Sequence, residues 1–356
     1  MFFCKAVHIS RRFHDLCLDH LRLRFIAVPS AAARLSLAMM ASAYVGAKAT
    51  GLTLPSFPDP SLFVVAVVAL DLYCRFASPS FVSRVAPIFV YSLIYIVATS
   101  LAGIFASYAT QRLAMPLQDE LFLSLDRWLG GDWLAFAHYV DDRPLLAKWL
   151  REAYSSMTMQ IIAPVVLLVA LERIGELRVY LLAFAIALTA TIVIAAFLPA
   201  SSAVTLVDDS LFHELRFGGR TPLDHLTRLR ESAPLNLESS AIGGLLSFPS
   251  FHAVVGALTP LSLRTVRPAF YFLCVVDIAL MVGTVTEGGH YFVDPVAGVA
   301  LAYLSYRMAQ RIEGRRIGPF RVSAIRLNIA PSVSRSRARI RRFASRSSSE
   351  GGAEVA

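Results

Sequence analysis

Apolar residues in this chain come in blocks about as long as a bilayer is thick, and that spacing narrows the possible folds more than any other feature. The blocks lie near 31–50, 61–78, 86–108, 153–172, 178–198, 250–266, 269–287 and 290–309. A helix needs roughly 20 such residues to cross the hydrocarbon core of a membrane. In lipid, every backbone N–H and C=O must be satisfied inside the segment, so blocks of this kind are helices rather than isolated strands. The pattern predicts an all-α polytopic membrane helical bundle with about eight transmembrane helices. Composition agrees: 56% of residues are hydrophobic and 17% charged, where a soluble domain carries about a quarter charged residues. The first block is alanine-rich and holds Lys48. The second holds Asp71 and Arg75, which belong near a helix end or facing the protein interior.

Charge orients the bundle. The net charge of +9 is concentrated at the two ends, with Lys5, Arg11, Arg12, Arg22, Arg24 and Arg34 at the start and eleven arginines after Gln310. An even number of spans puts both termini on one side, and positive charge marks that side as cytoplasmic. The loops carrying Arg75 with Arg84, Arg173 with Arg178, and Arg264 with Arg267 fall on the same side. Basic tails also suit nucleic acid, but beside membrane spans the topological reading accounts for them, and no nucleic-acid partner is expected. The domain order is then a basic cytoplasmic N-terminus (1–30), a transmembrane domain (31–310) and a basic tail (311–356) whose Arg/Ser-rich composition predicts disorder. The first thirty residues show no signal-peptide pattern, so the first span is read as the signal. Cys4, Cys17, Cys74 and Cys274 make no close pair and suggest no disulfide framework or zinc site.

The segment 109–152 is not a span. Leu121, Leu125 and Trp128 recur at helical spacing among charges, Gly130-Gly131 interrupts, and Pro144 starts a new piece. One or two amphipathic helices lying on the outer membrane surface fit that pattern. There Trp128 and Trp133 read as interfacial anchors. The polar loop 199–249 completes the outer side. Its His213 and His225 read as solvated, as does Glu287 in the turn before the last block.

This topology brings distant residues level. His252 stands at the outer start of the sixth block, and the chain crosses inward, turns, and returns to the same face at His290, 38 residues later. Asp294 follows by four, a spacing that on a helix shares one face. A carboxylate on one imidazole nitrogen fixes the tautomer and leaves the other nitrogen as an oriented nucleophile. A second imidazole at that depth can protonate a leaving oxygen. The same spacing also suits a metal pair, but no further Asp, Glu or His cluster accompanies it in the nearby blocks, so no metal is expected. Ser250, ahead of the sixth block, reads alone as a helix N-cap.

The stretches "FPSFH" (248–252) and "GTVTEGGHYFVD" (283–294) resemble the second and third signatures of the type 2 phosphatidic acid phosphatase superfamily. In the form F-P-S-x-H with G-G-H-Y-x-x-D they are most similar to its inositolphosphotransferase branch, which includes inositol phosphorylceramide synthases. "DRWLGGDWLAF" (126–136) and "AYSSMTMQ" (153–160) share that likeness, which covers roughly 115–308. The resemblance implies a metal-independent lipid phosphatase or phosphotransferase with no cofactor. His290 would attack phosphorus to give a phosphohistidine, Asp294 would orient it, and His252 would protonate the departing oxygen. Ser250 and backbone N–H groups at the helix start would hold phosphate oxygens.

The chain departs from the pattern at three points. Phe251 stands where the general signature has glycine, Gly283-Thr284 replaces its Ser-Arg, and the first signature, K-x6-R-P, is absent. A phosphate needs cationic partners, and the resemblance places them at Arg230, with Arg228 second, in "HLTRLRES" (225–232). Hydrolase and transferase share this machinery and stay open. The expected partners are a lipid phosphate substrate and membrane lipids. The expected location is a multi-pass membrane (the cell membrane in a bacterium), with the site on the periplasmic or extracytoplasmic face. The missing arginines favour one alternative, a catalytically inactive lipid-binding or transport protein of the same fold.

Overall fold

The computed structural model describes residues 30–50, 81–215, 221–233, 235 and 244–314. The apolar block at 61–78, the N-terminal stretch and the basic tail lie outside these residues. Among the described residues every regular element is a helix. They are α1 (Ser30–Thr50), α2 (Phe81–Gln111), α3 (Asp119–Trp128), α4 (Trp133–Asp141), α5 (Pro144–Ser155), α6 (Met157–Ala170), α7 (Ile174–Phe197), α8 (Thr221–Arg230), α9 (Phe251–Leu263), α10 (Arg267–Thr286) and α11 (Val293–Ile312). Two short 3-10 turns, Ala203–Leu206 and Asp209–Leu211, follow α7.

Helix α7 is the centre. Its sequence is apolar on every face beyond its first turn, and most of it is covered by other helices. It packs against α1, α2, α6, α9 and α11, and Leu177, Val179, Leu181, Ala183 and Ala185 are fully buried. Polar groups at this level are paired: Tyr95 Oη donates to the Leu181 carbonyl at 3.3 Å, and Tyr180 Oη to the Ile161 carbonyl at 2.6 Å. Arg178 on α7 meets Glu313 beyond α11 at 2.7 Å.

Among the described residues three helices are long and apolar enough to cross a membrane: α2 from Val85, α7 and α10. The pair α5 and α6, bent by 50° at Ser156, makes a fourth where the two are counted as one span. The expected block at 153–172 is therefore the second arm of a broken element that starts at Pro144. The Ser156 N–H reaches both the Glu152 and Ala153 carbonyls, and Gln160 Nε2 donates to Ser156 Oγ at 2.9 Å, which fixes the bend. Helix α9 is shorter than the block that predicts it. It has 13 residues, or about 20 Å at 1.5 Å per residue. Ser250 caps its start, and the chain turns after Leu263 because Arg267-Pro268 opens the next helix. Helices α1 and α11 have the length for a crossing, but their polar residues keep them below the apolar composition of the other spans.

The segment 109–152 folds as three helices, not one or two. Gly130 adopts φ +78, a left-handed value that ends α3. Asp132 then caps α4, accepting the Ala135 N–H at 3.0 Å, and Pro144 opens α5 at a position where its missing N–H costs nothing. Trp128 is exposed, as the surface reading expects. Trp133 is not: it is buried, and its Nε1 donates to the Val285 carbonyl at 2.9 Å. With Phe122, Val140, Leu150, Phe212 and Tyr291 it forms a second apolar cluster above the first. This cluster seats α3–α5 on the ends of α10 and α11, where the two histidine motifs meet.

Helices α9 and α11 touch backbone to backbone. A Cβ on Gly298 would stand 2.5 Å from the Ser250 carbonyl and 3.2 Å from the Val254 nitrogen, so only glycine lets the helices approach this closely.

Candidate active site

The third-motif turn is tightly specified. The His290 N–H bonds to the Thr284 carbonyl at 3.1 Å, and Gly289 takes φ +63, where a side chain would be strained and would also strike Ser202 and Val204. Ser202 Oγ donates to the Gly289 carbonyl at 2.6 Å, and the Ala203 N–H donates to it at 2.8 Å. His290 precedes α11 rather than standing on it. Its contact with Asp294 is made across this turn and not along a helix face.

Within that frame His290 Nδ1 lies 2.9 Å from Asp294 Oδ2. The same oxygen accepts the Ser247 hydroxyl at 2.8 Å and the Tyr291 N–H at 3.2 Å. A carboxylate oxygen can only accept, so Nδ1 carries a proton, and in the neutral ring Nε2 keeps its lone pair. Asp294 is fully buried and His290 is 6% exposed. Ser250 is fully buried as well. Its Oγ accepts the Ala253 N–H at 3.4 Å as an N-cap, and its own N–H donates to the Asp294 carbonyl at 3.2 Å. That bond ties the second motif to the third.

His252, on the first turn of α9, stacks on Tyr154 with ring centroids 4.1 Å apart. Tyr154 also borders the His290 turn: a Cβ on Gly288 would meet His290 Cδ2 at 2.8 Å and Tyr154 Cε2 at 3.1 Å. The structure thus brings His252, His290, Asp294 and Ser250 together. Arg228 and Arg230 stand on α8, which packs against α2. Arg230 Nη1 donates to the Met115 carbonyl at 2.9 Å, and His225, buried rather than solvated, meets Tyr108 Oη at 3.0 Å. Burial and the neighbouring Arg228 hold the His225 imidazole below its ordinary pKa, against the opposing pull of Asp224.

Several site residues are invisible to sequence reasoning. Asp126 on α3 is buried and accepts the Phe292 and Val293 N–H groups, both at 2.9 Å, where α11 begins. Burial raises its carboxyl above the usual range, those two bonds pull it down, and nearby Asp294 raises it further. Asp119, seven residues earlier, accepts Tyr291 Oη at 2.7 Å and the Ser201 N–H at 2.9 Å. Glu287 is not a solvated turn residue. It is 2% exposed, and Arg151 Nε meets its Oε2 at 3.2 Å, while Arg151 Nη2 donates to the Glu214 carbonyl. Spacing could not reveal these contacts, which join residues more than 60 positions apart.

Fold and site define an all-helical bundle with membrane-length apolar helices and a paired-histidine, carboxylate-oriented centre at one end. Residues 120–308, more than half of the chain, match the family model of the PAP2 superfamily, and the chain belongs to that superfamily. Its members are generally phosphatases, so membership points to phosphatase or phosphotransferase chemistry. No curated protein and no solved structure matches.

Proposed function

We propose that this chain is an integral membrane lipid phosphatase or phosphotransferase of the inositolphosphotransferase-like kind, working through a phosphohistidine. The observation that carries the reading is the buried His290–Asp294 pair, 2.9 Å apart, with His252 beside it across Tyr154. His290 Nε2 forms a bond to phosphorus as the bond from phosphorus to the leaving oxygen breaks, and protonated His252 gives that oxygen its proton. Water or an alcohol then attacks the phosphohistidine, loses its proton to His252, and frees His290. Asp294 stabilises the positive charge that the imidazole gains. In this reading Ser250 and the N–H groups at the start of α9 would hold the anion, with Arg230 and Arg228 as the sequence-derived candidates for its cation. No step calls on a metal.

The bundle has about eight spans in this reading, with both termini cytoplasmic and the site on the periplasmic or extracytoplasmic face. The second reading, an inactive lipid-binding or transport protein, draws on Gly283-Thr284 standing where the general signature has Ser-Arg. The test compares wild type with His290→Ala in detergent, measuring phosphate release or headgroup exchange on phosphatidic acid, lysophospholipid and polyprenyl diphosphate, with and without EDTA. The expected result is turnover by wild type, indifferent to EDTA, and a loss of at least about 100-fold in the variant. Equal turnover by the two proteins removes the assignment.

A further inference from the structure

The site as the sequence presents it lacks a cation at the reacting centre, and the fold supplies one from an element the motifs do not include. Arg151 stands on α5 three residues before Tyr154, a spacing that puts the two side chains on one helix face. Tyr154 stacks on His252 and borders Gly288 and His290. Arg151 reaches Glu287, the residue just before that glycine. Arg151 thus contacts the third-motif turn from the helix whose Tyr154 stacks on His252 of the second motif.

Its binding is one-sided. A guanidinium has five N–H donors in a planar fork. Nε goes to Glu287 Oε2, and one N–H of Nη2 goes to the Glu214 carbonyl. Glu287 is 2% exposed, whereas the Arg151 side chain keeps 28% of its surface open. The fork is therefore held on one side by a buried carboxylate while part of the side chain stays exposed. A carboxylate and a phosphoryl group offer the same pair of oxygens to such a fork, and arginine binds either in the bidentate manner.

We propose that Arg151 is the substrate-binding residue that holds the phosphoryl oxygens at His290, and that Glu287 is the carboxylate it partly releases when substrate arrives. This rests on the phosphoryl-transfer reading above and adds the anion subsite to it. Glu287 keeps the guanidinium aimed at the turn while the site is empty and competes with phosphate for it when the site fills. The two residues of one ion pair then have opposite effects on ligand binding, which a purely structural bridge does not produce.

The experiment uses the full chain in detergent and follows its thermal unfolding midpoint against inorganic phosphate, with chloride at matched ionic strength as the control. Ligand that binds only the folded state raises the midpoint in proportion to its affinity. Wild type should be stabilised by phosphate. Arg151→Gln should bind it about tenfold more weakly or worse, and Arg151→Lys should fall between. Glu287→Gln should bind it more tightly, by about threefold. Because Arg151→Gln removes a charge partner of the buried Glu287 and can destabilise the fold, the double variant Arg151→Gln/Glu287→Gln removes both charges together and should still lose phosphate binding. Arg230→Gln is measured beside them as the competing cation. The proposal is overturned if phosphate does not stabilise wild type, if Arg151→Gln or the double variant binds as wild type does, if Arg151→Gln and Glu287→Gln weaken binding alike, or if the loss follows Arg230. The two readings fail separately: phosphate binding that depends on Arg151 without any turnover removes the enzyme reading and keeps the anion site, and turnover with Arg151-independent binding does the reverse.

Discussion

One oxygen, Asp294 Oδ2, collects three donors from three places: the His290 ring, the Ser247 hydroxyl and the Tyr291 backbone. Any one bond of this kind is worth about 1 kcal/mol net, and the three together hold the buried carboxylate in one orientation. Asp294→Asn preserves the shape and can still place an amide oxygen where Oδ2 lies, so the fold should survive. What it removes is the charge that balances a cationic imidazole. Turnover should fall by about 100-fold or more with little change in KM, measured on the substrate that wild type turns over best. A matching fall in thermal stability would assign the residue to folding instead. At this scale the sequence is informative for the pair and poor for its surroundings. His290 and Asp294 are four residues apart and betray themselves by spacing. Ser247 is 47 residues from its partner, and Arg151 is 136 from Glu287; nothing local in "WLREAY" marks that arginine as part of a site.

Among elements, the short helices α3 and α4 do the positioning. Helix α3 presents Asp119 and Asp126 seven residues apart, two helical turns on one face, and both carboxylates hold the 291–293 strand of chain that aims His290. At the end of α4, Asp141 does the same for the loop after α7, accepting N–H groups from His213, Glu214 and Leu215 at 2.7–3.1 Å. Burial would raise the Asp141 carboxyl, but those three N–H groups outweigh it and hold it below the ordinary carboxylate range. A carboxyl lowered by folding adds stability that is complete above its unfolded pKa of about 3.9 and is lost as pH falls through its folded value. The 199–215 loop should therefore loosen below about pH 4, seen as faster hydrogen exchange at His213–Leu215, and Asp141→Asn should remove the pH dependence of that exchange. Unchanged exchange in the variant would place the acid-labile contact elsewhere. Helix boundaries were only partly legible. The stop at Gly130 and the starts at Asp132 and Pro144 are written in residue chemistry. The 50° bend at Ser156 is not, because it depends on the contacts of Ser156 and Gln160 rather than on a Gly or Pro, and α9 ends at Leu263, three residues inside its apolar block.

For the molecule as a whole, hydropathy foretold an all-helical bundle with apolar membrane-length helices, and the described residues contain three such helices, or four with the bent pair. Span number beyond this and sidedness rest on charge: with eight spans and cytoplasmic termini, position 230 lies outside and position 340 inside. Reporter fusions at those two residues should give opposite signals, and like signals would mean an odd number of crossings between them was miscounted. The burial of α7 was legible from its uniform apolarity, whereas α1 and α11 show that length alone does not make an apolar span.

The close seam at Gly298 decides which wall of the site can give way. With the Ser250 carbonyl 2.5 Å from where a Cβ would stand, the α9–α11 side has no slack and cannot part without breaking the Ser250–Asp294 link that aligns the motifs. The opposite wall is fastened differently. Arg151 latches α5 to Glu287 and to the 199–215 loop through exchangeable polar contacts. Traffic of substrate and product should therefore pass on the α5 side, with the α9–α11 side acting as a fixed jamb.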